Sequence, residues 1–171
     1  MSFTKLFFRN FVKKPNKMEI AVNNPQIPFS AKKLLAFKFK VARVFDNIYR
    51  SQNGFPKLSQ SEVANHINSE IYLTENFSTA DLSEAENGKV YCYHVPALIA
   101  YYHDKGIHPS FFLKEDIYLD KNDKFTINLR LSMEVYQCVE LTTFFKETYK
   151  IYVDEEKKYV KYEIRVKLVA F

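Results

Sequence analysis

Glycine is scarce in this chain: Gly54, Gly88 and Gly106 are all it has among 171 residues. P-loop and dinucleotide sites need closely spaced glycines so that backbone N–H groups can approach phosphate, and neither can be built here. Cysteine is nearly as rare. Cys92 and Cys138 are too few for a disulfide framework and form no C-x-x-C zinc pattern. Both are read as reduced and buried, which points to a reducing compartment, cytoplasmic or mitochondrial matrix. Tryptophan is absent, and no run of about 18 apolar residues exists to cross a membrane as a helix. What the chain does have is 47% apolar residues against 26% charged, enough for a packed core.

Lys, Asn, Ile, Phe and Tyr together make up 71 of the 171 residues. That skew is the mark of an AT-rich genome: a bacterium, a phage or virus, a protist or an organelle. It concerns source rather than function, and it lowers the weight of lysine abundance as a signal. Charge position is more informative. Residues 1–50 carry 11 basic and 2 acidic groups, residues 51–110 carry 3 and 7, and residues 111–171 carry 11 of each. The net charge of +5 therefore belongs to the N-terminal third. Such asymmetry suits nucleic acid, an anionic membrane surface or an acidic partner.

Residues 1–17 contain five basic groups and no acidic one. Phe3, Phe7 and Phe11 recur every fourth residue; Lys5, Arg9 and Lys13 do the same, offset by two. At about 100° per residue these stripes fall on opposite sides of a helix, which Pro15 would end. The segment resembles a mitochondrial targeting sequence in being acid-poor and amphipathic, although it has one arginine and little serine. The expectation is a retained docking arm, with Phe3, Lys5, Phe7, Arg9, Phe11, Lys13, Lys14 and Lys17 as its partner-binding residues. Residues 18–29, with Pro25 and Pro28 beside Asn23 and Asn24, read as an extended linker.

Residues 30–171 read as one α+β domain. Ser30 caps a helix over 31–52 whose buried stripe is Leu34, Phe37, Val41, Val44, Phe45 and Ile48. Lys32, Lys33, Lys40 and Arg43 are left as a basic surface. Ser59 and Glu62 form a capping box, with Leu58 stapled onto Val63, and start a helix running to about Tyr72. Residues 74–89 are polar and end in the turn Asn87-Gly88. Pro96 opens a third helix that Gly106 closes. From about 116 the apolar period changes from 3.6 to 2. Phe125 through Val135 and Val160 through Leu168 read as strands with one buried face, joined to what precedes the latter by a polar turn at 154–158. Residues 137–153 continue the alternation except at Glu147, and a helix over 133–146 is the competing reading. The expected architecture is N-terminal helices packed on a long-stranded antiparallel sheet. In element order alone it resembles the nuclear-transport-factor-2-like cone, in which helices pack into a curved sheet. That resemblance implies a pocket between helix and sheet, walled by Tyr101, Tyr102 and His103, with Glu147 the acid at an inward position.

Chemistry-bearing patterns are few. His94 and His103 are nine residues apart, about 900° of helix, so one regular helix cannot bring both to a metal. Cys92 with His94 or His103 would be a nucleophilic pair only if something lowered the thiol pKa; Cys92 lies in the apolar run Val-Tyr-Cys-Tyr instead. Leu58–Phe77 has the opening of a helix-turn-helix, but the second helix would carry Glu70 and Glu75 and no basic residue, which phosphates repel. No catalytic residue, metal or cofactor is expected, and sequence-specific DNA readout is disfavoured. The leading expectation is a non-enzymatic structural or interaction subunit of a larger assembly, docked to other protein subunits through the arm. RNA or an anionic membrane surface could meet the same residues, which would suit a ribonucleoprotein or organellar complex. The alternatives are a small pocket-bearing enzyme or ligand binder of cone-like fold, and a helix-turn-helix nucleic-acid binder.

Overall fold

In a computed structural model the described residues are 30–89, 93–113, 117–119, 124–153 and 158–171. The helices are α1 (Ala31–Gln52), α2 (Gln60–Ile67), a π-helical turn (Asn68–Tyr72), α3 (Thr79–Glu86), α4 (Val95–Asp104), α5 (Ser110–Leu113) and α6 (Met133–Gln137). The strands are β1 (Ile117–Leu119), β2 (Phe125–Leu131), β3 (Lys146–Val153) and β4 (Lys158–Ala170). The class is α+β.

Helix α1 begins where Ser30 Oγ accepts from Lys33 N–H at 3.3 Å, as the cap residue predicts. It is buried on two sides. Leu34, Phe37, Val41 and Phe45 are buried as expected, whereas Val44 and Ile48 are half-buried. A second stripe, Phe39, Ala42 and Asp46, is buried too. The reason is that α1 has two neighbours. On the sheet side the Phe37 and Phe145 ring centroids are 5.8 Å apart. On the helical side Phe39 stacks on Phe112 at 5.2 Å. Arg43 Nε and Nη2 donate to the two oxygens of Glu86 in α3 at 2.5 and 2.9 Å. Lys40 Nζ reaches Glu147 Oε1 at 2.7 Å. Lys40 and Arg43, expected as open basic surface, are thus taken up in ion pairs that tie α1 to its neighbours.

The capping box at Ser59 forms as read: Glu62 N–H donates to Ser59 Oγ at 3.2 Å and Ser59 N–H to Glu62 Oε2 at 2.7 Å. Leu58 and Val63, the staple pair, are both buried. From there the chain is helical without a break to Tyr72, so residues 58–77 hold one rod and not the two helices of a helix-turn-helix. Helix α3 was not foreseen. A second capping box, Ser78 with Asp81, starts it. Helix α4 carries Pro96 in its first turn and ends in a Schellman pattern, with Gly106 N–H bonded to His103 O at 2.8 Å and Ile107 N–H to Tyr102 O at 3.0 Å.

The sheet is mixed, in the order β1-β2-β4-β3. β1–β2 and β3–β4 pair antiparallel; β2 and β4 pair parallel, from Phe125↔Ile164 to Leu131↔Ala170. This corrects the all-antiparallel expectation. The apolar alternation of β2 runs on through Met133 and Val135, but the strand stops at Leu131. Ser132 N–H donates to Gly106 O at 2.7 Å and the chain turns into α6. The connection runs back along the sheet, so that β3 begins level with the start of β2 (Lys146 and Thr126 both face Arg165) and one strand position further out, about 10 Å from β2. β4 then returns through the gap and runs parallel to β2. The same turn corrects Cys138, an exposed free thiol just past α6 rather than a buried strand residue.

Phe125, Ile127, Leu129, Leu131, Ile164 and Val166 point into one continuous core with the α1, α2 and α4 residues. Val166 N–H donates to Phe145 O at 2.9 Å, which makes 166/145 a hydrogen-bonded pair. Counting by two, Lys146↔Arg165, Thr148↔Glu163 and Lys150↔Lys161 are non-hydrogen-bonded pairs on the opposite, outward face.

Candidate functional site

All eight residues of the predicted docking set, Phe3, Lys5, Phe7, Arg9, Phe11, Lys13, Lys14 and Lys17, lie outside the described residues, as does Cys92. Of the expected pocket, Tyr101 and Tyr102 are fully buried and pack into the core, while His103 is exposed. Burial pushes both tyrosine hydroxyls up from their ordinary value of 10.0. Between α1 and the sheet, Val41, Phe45, Leu129 and Val166 close round a void of about 10 Å³, room for one water at most. Glu147 does point inward, directly opposite Ile164 and without a bulge, and its carboxylate is spent on Lys40. Among the described residues no group of three or more His, Cys, Asp or Glu side chains could hold a metal ion.

What the structure does bring together is polar side chains around the π-helical turn, an element type that is rare and often found at functional positions. The turn ends at Leu73, which takes a left-handed φ of 57°. Asn68 fixes the loop beyond it: its Oδ1 accepts from Phe77 N–H at 2.8 Å and Asn76 N–H at 3.1 Å, and its Nδ2 donates to Phe77 O at 2.7 Å. Sequence reading passed over Asn68 because the partners of a mid-helix asparagine are set by tertiary structure.

On one side of the turn, Glu70 lies 3.1 Å from His66 Nδ1 and 3.1 Å from Lys105 Nζ. The Lys105 ammonium sits 4.8 Å from the centre of the Tyr101 ring. Asp46 is buried beside this group at 5% exposure. Burial holds its carboxyl above the ordinary 3.8; Arg50, Lys105 and His66 oppose that and Glu70 adds to it. The folded state therefore binds this proton more tightly than the unfolded chain does. The contribution favours the fold at low pH and is lost as pH rises from 3.8 through the raised value. Asp46→Asn is accordingly expected to raise the melting temperature at pH 7 and to flatten that part of the stability profile. Thermal melts at stepped pH check this, and a less stable variant at pH 7 would show that ion pairing outweighs burial.

On the other side, Tyr72 Oη and His94 Nδ1 are 2.8 Å apart, and His94 Nε2 is 3.8 Å from Asp81 Oδ1. The Phe77 ring meets the buried imidazole edge-on at 4.9 Å. Burial lowers the His94 pKa from 6.5 and Asp81 opposes it, which favours the neutral ring. A proton on Nε2, facing Asp81, leaves Nδ1 to accept from the Tyr72 hydroxyl. Burial raises the Tyr72 pKa, which keeps the phenol protonated. Asp81 is held low by hydrogen bonds from the Ser78 hydroxyl and N–H, at 2.6 and 2.8 Å. An open groove of about 1030 Å³ runs alongside, lined by Asn65, Asn68, Ser69, Asn76, Phe77 and Asp81 among others. Its described groups can accept and donate hydrogen bonds but include no activated nucleophile. The whole arrangement locks α2, α3 and α4 together.

No family model, no curated protein and no solved structure matches the chain.

Proposed function

We propose that the chain is a non-enzymatic structural and interaction subunit of a larger assembly, docked through the basic aromatic arm of residues 1–17. The observation that supports this reading is the packing of α1 on the sheet: among the described residues, the void between them, where a helix-on-sheet enzyme or ligand binder would keep its pocket, holds about 10 Å³. The titratable groups around the π turn serve packing and positioning. The cone-like arrangement belongs to this proposal as a likeness of shape. Helices lying against one face of the sheet favour it; the parallel β2–β4 pair departs from an antiparallel meander. The helix-turn-helix alternative has α3 as the next helix available, and that helix carries Asp81, Glu84 and Glu86 with no basic residue.

The test is sedimentation of the tagged full-length chain from the cells that make it. The wild type is expected to migrate well above its own 20.2 kDa. A Phe3→Ser/Phe7→Ser/Phe11→Ser variant is expected to fall to the monomer position with its thermal melt unchanged. Wild type at the monomer position, or a variant that stays in the heavy fraction, would overturn the proposal. Nuclease treatment of the heavy fraction tells a ribonucleoprotein from an all-protein complex.

A further inference from the structure

Among the described residues, the outward face of the β3–β4 half of the sheet adds no side chain to the hydrophobic core. There the cross-strand neighbours include two like-charged pairs, Lys146↔Arg165 and Lys150↔Lys161. Both stand at non-hydrogen-bonded positions, where side chains come closest, and like charges directly opposite one another are destabilising. One carboxylate lies between them. Glu163 meets Arg165 Nε at 2.7 Å, Lys146 at 3.1 Å and Lys124 at 3.7 Å, a single negative charge shared by three cations. Lys167 extends the basic row toward Asn128 of β2. Aromatic rings stand on the same face. Tyr159 is 72% exposed, two residues from Lys161, and Tyr118 is 53% exposed, opposite Thr126. Lys150, Lys161 and Tyr159 border a hollow of about 420 Å³.

We propose that this face, centred on Lys150, Lys161 and Tyr159, binds single-stranded nucleic acid. Lysines and the arginine would track the phosphates while the tyrosine faces stack on bases. Charge complementarity commits the face to a polyanion: Glu163 answers the Lys146/Arg165 pair, while among the described residues the Lys150/Lys161 pair has no carboxylate partner. Exposed aromatic rings among the cations distinguish a single strand, whose bases are open to stacking, from a duplex, whose bases are not. A membrane fits less well, because interfacial binding needs a contiguous apolar face and these rings are separated by charged and hydroxyl residues. The surface is separate from the arm and the proposal does not rest on it. Asp154, Glu155 and Glu156, in the connection from β3 to β4, lie outside the described residues.

The experiment is fluorescence anisotropy of the full-length chain with labelled 20-mer RNA and DNA, titrated at several salt concentrations. The basic arm is silenced in place by Lys5→Gln, Arg9→Gln, Lys13→Gln, Lys14→Gln and Lys17→Gln. This chain is expected to keep salt-dependent binding to single strands. Adding Lys150→Gln and Lys161→Gln should reduce the slope of log K against log salt by about 1.4, two phosphate contacts' worth. Tyr159→Ala should weaken binding about tenfold, and Tyr159→Phe should restore it, because stacking needs only the ring. No binding by the arm-silenced chain, or a slope the lysine changes leave alone, would overturn the proposal. Equal affinity for a duplex with indifference to Tyr159→Ala would reduce the face to a general polyanion surface and overturn the single-strand assignment. So would lysine-dependent binding to phosphatidylserine vesicles without binding to the 20-mers. A lost arm with an intact sheet face leaves this proposal standing and removes only the docking role of residues 1–17.

Discussion

Arg43→Ala is expected to cost the folded chain about 3–5 kcal/mol, the usual penalty for stranding a buried charge. The Glu86 side chain is 4% exposed and that of Arg43 is 20% exposed, so water cannot replace the lost guanidinium. The pair is bidentate, at 2.5 and 2.9 Å, and Gln60 Nε2 adds a third donor to Glu86 Oε2 at 3.1 Å. These bonds lift the Arg43 pKa above its ordinary value despite its partial burial. The contact joins the middle of α1 to the end of α3, so its loss should also loosen the face that α3 presents to α1. Denaturant unfolding followed by circular dichroism measures the effect. The double variant Arg43→Met/Glu86→Leu is expected to recover most of the loss, since two apolar side chains of similar size need no charge compensation. A loss below about 1 kcal/mol for Arg43→Ala would place the pair among solvent-screened surface bridges and contradict its burial.

Neither residue announced this role in the sequence. Arg43 looked like one more cation on the basic side of an amphipathic helix. Glu86 lay in a polar stretch that carried no apolar period. Local signals, by contrast, were reliable wherever the physics is local. Ser30 marked the start of α1, Ser59 with Glu62 marked α2, and Gly106 marked the end of α4, because each supplies or permits hydrogen bonds within a few residues of itself. The Ser78–Asp81 box was equally local and could have been found; its aspartate at the position where glutamate is commoner, and the lack of an apolar stripe after it, hid it. The strand faces were legible too, since β2 and β4 alternate with period two. What failed was pairing. Nothing in the residues of β4 says whether its neighbour runs parallel or antiparallel. It follows from the connection, which leaves β2 at Ser132, where a hydrogen bond ties it to a glycine 26 positions earlier, and runs back along the sheet before β3 begins.

The polar centre shows the same division. His66 and Glu70 are four apart and could be paired on paper. Lys105 and Asp46 join them from other elements, and only the fold brings them there. The basic sheet face was half legible: Lys161, Arg165 and Lys167 were already on the solvent side of a predicted strand. Its significance depends on which residues of β3 lie opposite, and Glu147 interrupts the alternation that would have set that register.

Gly106→Ala is expected to be the most damaging alanine substitution among the three glycines. Gly106 has φ +86°, a conformation that costs an L-residue about 1–2 kcal/mol. A Cβ there would also press into Val135 Cγ2 and come within 2.9 Å of Ser132 Oγ. Forcing a methyl into such a contact costs about 1–3 kcal/mol more. Gly54→Ala separates the two contributions, because Gly54 has a similar φ of +78° and nothing within 4 Å of the added carbon. The Gly54 variant should therefore lose only the conformational part, and the Gly106 variant about twice that or more. Amide hydrogen exchange at His108 and Ser132 locates the damage, since their N–H groups bond to Arg130 O at 2.8 Å and Gly106 O at 2.7 Å where β2 ends. Equal losses at the two glycines would mean that α6 moves aside freely. In that case the Gly106–Ser132 junction would not be what turns the chain out of β2.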